Sequence, residues 1–401
     1  MRVHTNAAQR LASTQTRMDR VCEAWILRGN SSTCARCYAL RSRYAAQMST
    51  SLPSEFQKSA RPGDLTPALH VLLAGGALSE AQAEHAFTEL ATGASHDGEI
   101  GAFLALLAAR VPSVNELVGA VRVMRSKVER VPTRLLPAQL LDTAGTGGAP
   151  KSFNVSTLAA FVAAANGAKV AKHGNRSRTG RGSAETLERV GVNINASRSV
   201  QAKCLEECGI CFCFAIHHHP AAKHAIGVRK ALGFPTIFNL LGPLTNPAGA
   251  ARQVMGVYAP QFVRPVAEAL LRLNATRALV LHSEDGLDEV SIFKPTRVVE
   301  VRAGALREWT IDPRALGLAN VDPKTLAPSS LDEAAALFEA VLRGEERGPR
   351  RDLVLVNAAA AMLAADVVAS MEEGIQVAAQ SLDFGDAWKC FESLRELSLS
   401  S

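Results

Sequence analysis

The chain has 401 residues, of which 47% are hydrophobic and 20% charged, a balance that fits a soluble globular protein with two or three domains. No apolar run reaches about 18 residues without a charge or turn signal, which excludes a membrane-spanning helix. The net charge of +6 resides in residues 1–60, where nine Lys/Arg stand against three acids; the rest is neutral, which argues against a nucleic-acid-binding body.

Residues 1–60 are rich in Arg, Ser, Thr and Ala and show no clear helical stripe. They read as a disordered or transit-like extension, with a dispensable extension favoured over organellar import. Cys34-x-x-Cys37 is half of a zinc pattern without a second pair nearby. The eight scattered cysteines read as reduced thiols of a cytoplasmic protein. From Leu65 to Val131 the pattern is helical, with Leu69, Leu72 and Leu73 at helix spacing. Ser79 to Gln82 forms a capping box, a further run covers Glu99 to Ala109, and Ser113 to Glu116 opens a fourth helix. The expected helical domain spans 61–134, with 217–248 contributing.

From Leu140 short apolar strands alternate with helices. Candidate strands are Ala168–Lys172, Ile210–Ile216, Gln253–Tyr258, Ala278–His282 and Leu353–Val356. Helices follow Asn154, Gly182 and Gln261, and such alternation implies parallel strands with crossovers. Arg297–Arg302 and Ala305–Ile311, joined by Ala303-Gly304, read as a hairpin. Helices close the chain over Leu331–Arg343, Ala358–Ala365 and Met371–Leu399. The fold class is therefore α/β: a small all-helical domain plus a larger α/β domain, 135–216 and 249–401, with a mostly parallel central sheet.

Chemistry concentrates in four segments. Asp142-Thr143-Ala144-Gly145-Thr146-Gly147-Gly148 precedes a helix opened by Asn154, Val155, Ser156 and Thr157. A glycine-dense turn lets an anion approach backbone N–H groups, and a helix N-terminus adds partial positive charge. It is not a P-loop, because Pro150 stands where the second glycine belongs. The readings are a phosphate cradle or an ordinary strand–loop–helix turn. Lys172, Arg176, Arg178 and Arg181 place four cations just after a strand, among glycines and hydroxyls that suit an anion. A helix beginning near His219 carries Arg229 and leads to the shaped turn Phe234–Pro247. Asp288 and Glu289 are adjacent loop carboxylates, which suit Mg²⁺ shared with substrate phosphates. Cys204, Cys208, Cys211 and Cys213 with His217, His218 and His219 imitate a zinc cluster. Alternation of Cys211-Phe212-Cys213-Phe214 favours a buried strand instead, with His217 and His218 structural.

Taken in order, these segments resemble the anthranilate phosphoribosyltransferase family, over about Leu65 to Leu397. The resemblance rests on Gly145–Gly148, Asn154–Thr157, Lys172–Arg176, Gly182-Ser183-Ala184, His219–Ala221, Phe238–Pro243, Asp285–Ser291 and Asn357-Ala358-Ala359. It implies transfer of phosphoribosyl from 5-phosphoribosyl 1-diphosphate to the amino group of anthranilate, in tryptophan biosynthesis. Phosphoribosyl diphosphate would lie against Gly145, Gly147, Gly148, Ala149, Ser152, Asn154, Val155, Ser156, Thr157, Lys172 and Ser183. Anthranilate would meet Gly145, His173, Asn175, Arg229 and Pro243. Two Mg²⁺ ions would be held by Ser156, Asp288 and Glu289, with Lys172 acting electrostatically and no residue acting as acid or base. A homodimer through the helical domain is implied, with no nucleic-acid or membrane partner. The chain departs from the family pattern at Ala149, where Asp is usual, and at Glu185, also usually Asp. The loops before Phe153 and Gly182 are each about one residue short. The competing readings are a pyrimidine nucleoside phosphorylase of the same fold and a non-enzymatic nucleic-acid-binding paralogue. The first lacks the Lys172–Arg176 sequence, and the second calls for a basic groove and a degraded acceptor site.

Overall fold

The computed structural model describes residues 61–147, 153–177, 179–318 and 326–400. The extension over residues 1–60, including Cys34 and Cys37, lies outside the described residues, as do Gly148, Ala149, Ser152 and Arg178.

Four helices come first: α1 (Thr66–Leu73), α2 (Glu80–Thr92), α3 (Asp97–Ala108) and α4 (Val114–Ser126). Both anticipated capping boxes form. Ser79 Oγ accepts from the Gln82 amide while Gln82 Oε1 accepts from the Ser79 amide, and Ser113 pairs with Glu116 in the same way. Each box satisfies donors that a bare helix start would leave without partners.

The remainder is built on seven strands: β1 (Leu140–Asp142), β2 (Lys169–Gly174), β3 (Ile210–Phe214), β4 (Arg252–Gly256), β5 (Arg277–Ser283), β6 (Thr296–Arg302) and β7 (Ala305–Ile311). Their order in the sheet is β3-β2-β1-β4-β5-β6-β7. The pairs from β3 to β5 are parallel, and β6 and β7 add antiparallel neighbours. Helices α5 (Val155–Ala165), α6 (Ser183–Arg189), α7 (Arg198–Glu207), α8 (Lys223–Leu232) and α9 (Val263–Arg272) connect the strands. The chain closes with α10 (Leu331–Leu342), α11 (Pro349–Ala364), α12 (Met371–Asp383) and α13 (Asp386–Ser398). No helix among the described residues is long and apolar enough to cross a membrane.

The sheet divides two cores by its two-residue period. Leu279 and Leu281 of β5 join α5, α11 and α13 on one face. Ala278 and Val280, with Val299 and Val301 of β6, join α9 and the four N-terminal helices on the other. Residues Ala221–Leu244, from the middle of the chain, belong to this second core.

Three sequence expectations need correction. Leu353–Val356 is not a strand but lies within α11, which starts nine residues before the expected Ala358. Almost every residue of α11 from Leu353 onward is buried, so it shows no polar face, and a short apolar run fits strand or buried helix equally. Met371–Leu399 is two helices, broken where Gly385 takes φ +77°, a left-handed conformation that favours glycine. β3 ends at Phe214, and a single helical turn over Ala215–His218 follows. Helix α7, capped by Ser197, was not anticipated.

Gly374 of α12 meets α11 closely: a Cβ there would lie 2.7 Å from Ala359 Cβ and 2.8 Å from Ala359 Cα. Gly→Ala inside a free helix stabilises by about 0.5–1 kcal/mol, but overpacking costs about 1–3 kcal/mol. Gly374→Ala is therefore expected to lower the urea midpoint, and a raised midpoint would show that the two helices separate without cost.

Candidate active site

Strand order reverses direction between β1 and β4, and in open parallel sheets such a switch point opens a crevice at the strands' carboxyl ends. The glycine turn leaves β1 into that crevice and is tied to β4. Thr146 N–H donates to Gly256 O at 2.9 Å, and Tyr258 N–H donates to Thr146 Oγ1 at 2.9 Å. Gly147 takes φ +60°, as the tight turn requires.

The acidic loop between β5 and β6 packs against the same place. A Cβ on Gly256 would fall 1.7 Å from Asp288 O, and one on Gly145 would lie 3.4 Å from Asp288 Oδ2. Only glycine at the end of β4 lets the two backbones approach this closely, and the Asp288 carboxylate faces the glycine turn. The loop is held from behind by Asn357 of α11, which donates to Val290 O and accepts from Val290 N–H, each at 2.9 Å. Ser291 Oγ donates to Asp285 Oδ2 at 2.5 Å, so Asp285 is occupied within the loop, and Glu289 lies between Asp288 and the anchored Val290.

Asp142, at the end of β1, is fully buried. Its Oδ1 accepts from Ala144 N–H at 3.0 Å and His173 N–H at 3.1 Å, and its Oδ2 accepts from Asn246 Nδ2 at 2.8 Å. Burial raises its pKa, opposed by the nearby Lys172 charge and by these donors. Lys172, itself buried, donates from Nζ to His173 O at 3.1 Å. The strand end thus carries a buried lysine whose charge acts on the Asp142 carboxyl.

On the other side of Lys172, His173 and His219 bring their Nε2 atoms to 3.1 Å, with ring centroids 4.9 Å apart. Burial, then the neighbouring imidazoles and Lys172, push His173 well below the usual histidine range. Burial and then His218 push His219 down to about 4. Two facing ring nitrogens can share one proton but not hold two, so the pair is neutral near pH 7. His173 also bonds to the Gly242 backbone, next to Pro243, whose carbonyl accepts from Gln253 Nε2 at 2.6 Å. Arg229, in the last turn of α8, lays its guanidinium 5.0 Å from the Phe238 ring centroid. Burial lowers its pKa, and among the described residues no carboxylate pairs with it.

At the start of α5, Asn154 Oδ1 accepts from Thr186 Oγ1 at 2.9 Å, and Asn154 Nδ2 donates to Arg181 O at 3.3 Å. Val155 is buried, and Ser156 offers its carbonyl to Thr143 Oγ1 at 2.9 Å. Thr157 Oγ1 is buried without a partner among the described residues, in the first turn of the helix that the glycine turn precedes. Ser183 Oγ would lie 2.5 Å from a Cβ on Gly174, so α6 starts hard against the end of β2. Asn175 is exposed, its Oδ1 accepting from Arg176 N–H at 2.8 Å.

The cation-rich loop is not a uniform anion patch. Arg176 pairs with Glu188, and Arg181 donates to the Pro328 carbonyl. Glu185 has a structural task, accepting from the Ser177 and Gly182 amides. Cys211 and Cys213 stand in the buried strand β3. His218 bridges Glu129 O and Gln201 Oε1, and His217 bonds Asn195 Oδ1 at 2.8 Å. Sequence reasoning gave no role to Asp142, Asn246 or Gly256. The one available signal was Asp142 itself, a charge directly after an apolar strand.

A helical bundle joined to a parallel-sheet domain, with a glycine turn, a buried lysine and an acidic loop meeting at the switch point, is the architecture of one class of glycosyl transferases. Residues 66–128 match the glycosyl transferase family helical bundle domain, and residues 137–388 match its a/b domain. The anthranilate phosphoribosyltransferase of Rubrobacter xylanophilus is 46% identical over 330 residues, covering 82% of this chain and 96% of its own length. That of Anaeromyxobacter dehalogenans is 46% identical over 332 residues, with coverage of 82% and 96%. The crystal structure of the Thermus thermophilus anthranilate phosphoribosyltransferase superposes with a TM-score of 0.78 at 39% identity, covering 83% of this chain and 99% of that one. The Saccharomyces cerevisiae enzyme in complex with PRPP and Mg gives 0.75 at 25% identity, covering 84% and 98%. The chain belongs to the anthranilate phosphoribosyltransferase family.

The buried imidazoles make acid stability a test of the site. When pH falls below 6.5, an unfolded imidazole takes up a proton that His219 in the folded state refuses until about pH 4. Folding stability contributed here is therefore lost as pH falls across that window. His219→Gln is expected to flatten the decline of urea midpoint between those pH values; an unchanged slope would place the acid sensitivity elsewhere.

Proposed function

We propose that the protein transfers the phosphoribosyl group of 5-phosphoribosyl 1-diphosphate to the amino group of anthranilate, giving N-(5-phosphoribosyl)anthranilate and diphosphate. The observation that carries this reading is the approach of the Asp288 carboxylate to the glycine turn at the switch point. Membership of the family supports it.

The donor set fits Mg²⁺. Asp288 and Glu289 are hard oxygen donors, and Mg²⁺ uses one or two carboxylates completed by substrate phosphates and water. Asp288 and Glu289, with Ser156, are the residues that would hold two such ions. When bound, Mg²⁺ supplies positive charge to the departing diphosphate.

The chain's own residues do the rest. Glycine-turn amides and the α5 N-terminus orient the diphosphate, and the buried Thr157 hydroxyl offers a donor there. Lys172 adds fixed positive charge where negative charge develops as the C1–O bond breaks. Arg229, held over the Phe238 ring, presents a planar fork to the anthranilate carboxylate, while His173, Asn175 and Pro243 line the acceptor's position. The amine lone pair then forms the N–C1 bond through an oxocarbenium-like transition state. The bonding pair of C1–O leaves with diphosphate, and the nitrogen sheds its proton to water. An aromatic amine is already nucleophilic, so orientation and leaving-group stabilisation suffice. The neutral His173–His219 pair keeps the acceptor side free of a second cation. The same reading includes a homodimer through the helical domain, a cytoplasmic location, and the division into 61–134 with 217–248 against 135–216 with 249–401.

Arg229→Ala is expected to weaken anthranilate binding about ten- to a hundredfold, the worth of a charge-assisted hydrogen bond, with phosphoribosyl diphosphate binding nearly unchanged. Calorimetry showing equal weakening of both would reduce Arg229 to a support of the fold. The double variant Asp288→Asn, Glu289→Gln is expected to lose most turnover and keep its circular dichroism spectrum. Full activity in that variant, or full activity of the unaltered protein in EDTA, would remove Mg²⁺ from the reading.

A further inference from the structure

Strand β2 outruns its neighbour on one side. It pairs with β3 from Val170 to Gly174, but with β1 only through Lys169 and Val170, because β1 ends at Asp142 where the glycine turn begins. Val170 N–H points to the β3 side and donates to Gly209 O at 2.8 Å. Backbone groups alternate along a strand, so Ala171 and His173 turn their N–H and C=O groups the other way, toward the side that β1 has left. Both residues are buried, and buried backbone groups need partners.

Two side chains complete the ladder there. Asp142 Oδ1 stands in for a strand carbonyl and accepts from His173 N–H at 3.1 Å. Asn246 Nδ2 stands in for a strand amide and donates to Ala171 O at 2.8 Å. The same Nδ2 donates to Asp142 Oδ2 at 2.8 Å, which joins the two substitutes. The Asn246 amide is fixed in direction from its other end, where Oδ1 accepts from Ala248 N–H at 2.9 Å and Ala250 N–H at 3.3 Å. Its hydrogen-bonding capacity is thus used within the fold.

Lys172 lies between the two held peptides, and its Nζ donates to His173 O at 3.1 Å. A shift of the His173 peptide therefore carries the ammonium with it. We propose that Asp142 and Asn246 form a splint that replaces a strand beside the end of β2, and that Asn246 is a positioning residue for Lys172. A continued β1 would hold β2 equally well but could not leave to form the glycine turn; two side chains do the holding and let the backbone depart. Electrostatic stabilisation works through groups already in place when charge develops, and a misplacement of about 1 Å costs up to about a hundredfold in rate.

The test has two arms. The first follows amide hydrogen exchange of the full chain by NMR, without substrate. In the unaltered protein His173 N–H is expected to exchange at least about a hundredfold more slowly than in an unfolded chain, although no strand pairs with it on the β1 side. Asn246→Ala is expected to speed exchange at His173 at least about tenfold, while Val170, held by Gly209, changes less than about threefold. The second arm measures turnover per phosphoribosyl diphosphate site counted by calorimetry. Asn246→Ala is expected to lower kcat per site at least about tenfold, with the KM of each substrate within about threefold. A residue that only supported the fold would lower the number of sites and leave kcat per site unchanged. Asp142→Asn keeps the side chain's shape but sets an N–H2 group against the Asn246 donor. It is expected to give the same two results, and it decides alone if Asn246→Ala does not fold. Unprotected exchange at His173 in the unaltered chain, exchange quickened evenly along β2, or an undiminished kcat per site would overturn the proposal. The kinetic arm rests on the transferase reading, whereas the exchange arm does not. An unaltered protein that forms no N-(5-phosphoribosyl)anthranilate would overturn that reading, and the exchange arm would then decide the splint by itself.

Discussion

The candidate site is organised by one buried carboxyl group. Asp142 gathers the start of the glycine turn, the His173 amide on the neighbouring strand and the Asn246 side chain more than a hundred residues later. A buried carboxyl group is tolerated only where hydrogen-bond partners surround it. Those donors belong to the very pieces that the proposed reaction needs in register: the glycine turn, the end of β2 and the Pro243–Asn246 turn. The cost of burying the carboxyl group is thereby turned into positional specificity, and the Lys172 charge nearby opposes the rise that burial imposes on it.

The second constraint is steric. At the end of β4 the absence of a Cβ on Gly256 lets the acidic loop come down onto the sheet edge, and Asn357 locks that loop from α11 with a two-way amide bridge to Val290. Glycine turn and acidic loop therefore share one base. Relative placement of the two matters because electrostatic stabilisation works through groups already in position when charge develops.

Much of this was legible in the sequence because its signals are local. Capping boxes at Ser79 and Ser113 span three residues. The glycine turn, Lys172-His173 and Asp288-Glu289 are each contiguous, and their order along the chain carried the family resemblance. What escaped was non-local or lacked contrast. Asp142 gains its meaning only through His173 and Asn246, and Gly256 only through Asp288. The cations of the Arg176–Arg181 loop looked equivalent by composition, yet the fold engages Arg176 with Glu188 and Arg181 with Pro328. Helix α11 was misread over Leu353–Val356 because a helix buried on every side shows neither the 3.6-residue stripe nor a two-residue alternation.

The position of β1 beside β4 has a further consequence, for the order in which a growing chain becomes competent. Leu141 pairs with Arg252, so the crevice cannot close until about 110 more residues have left the ribosome. At 5–20 residues per second this is a wait of roughly 6–20 s. The Asp288 loop lacks its Asn357 anchor for longer still. Through that interval the nascent chain displays the glycine turn without the acidic loop that packs against it, and an exposed β1 edge that only its own later segment should fill.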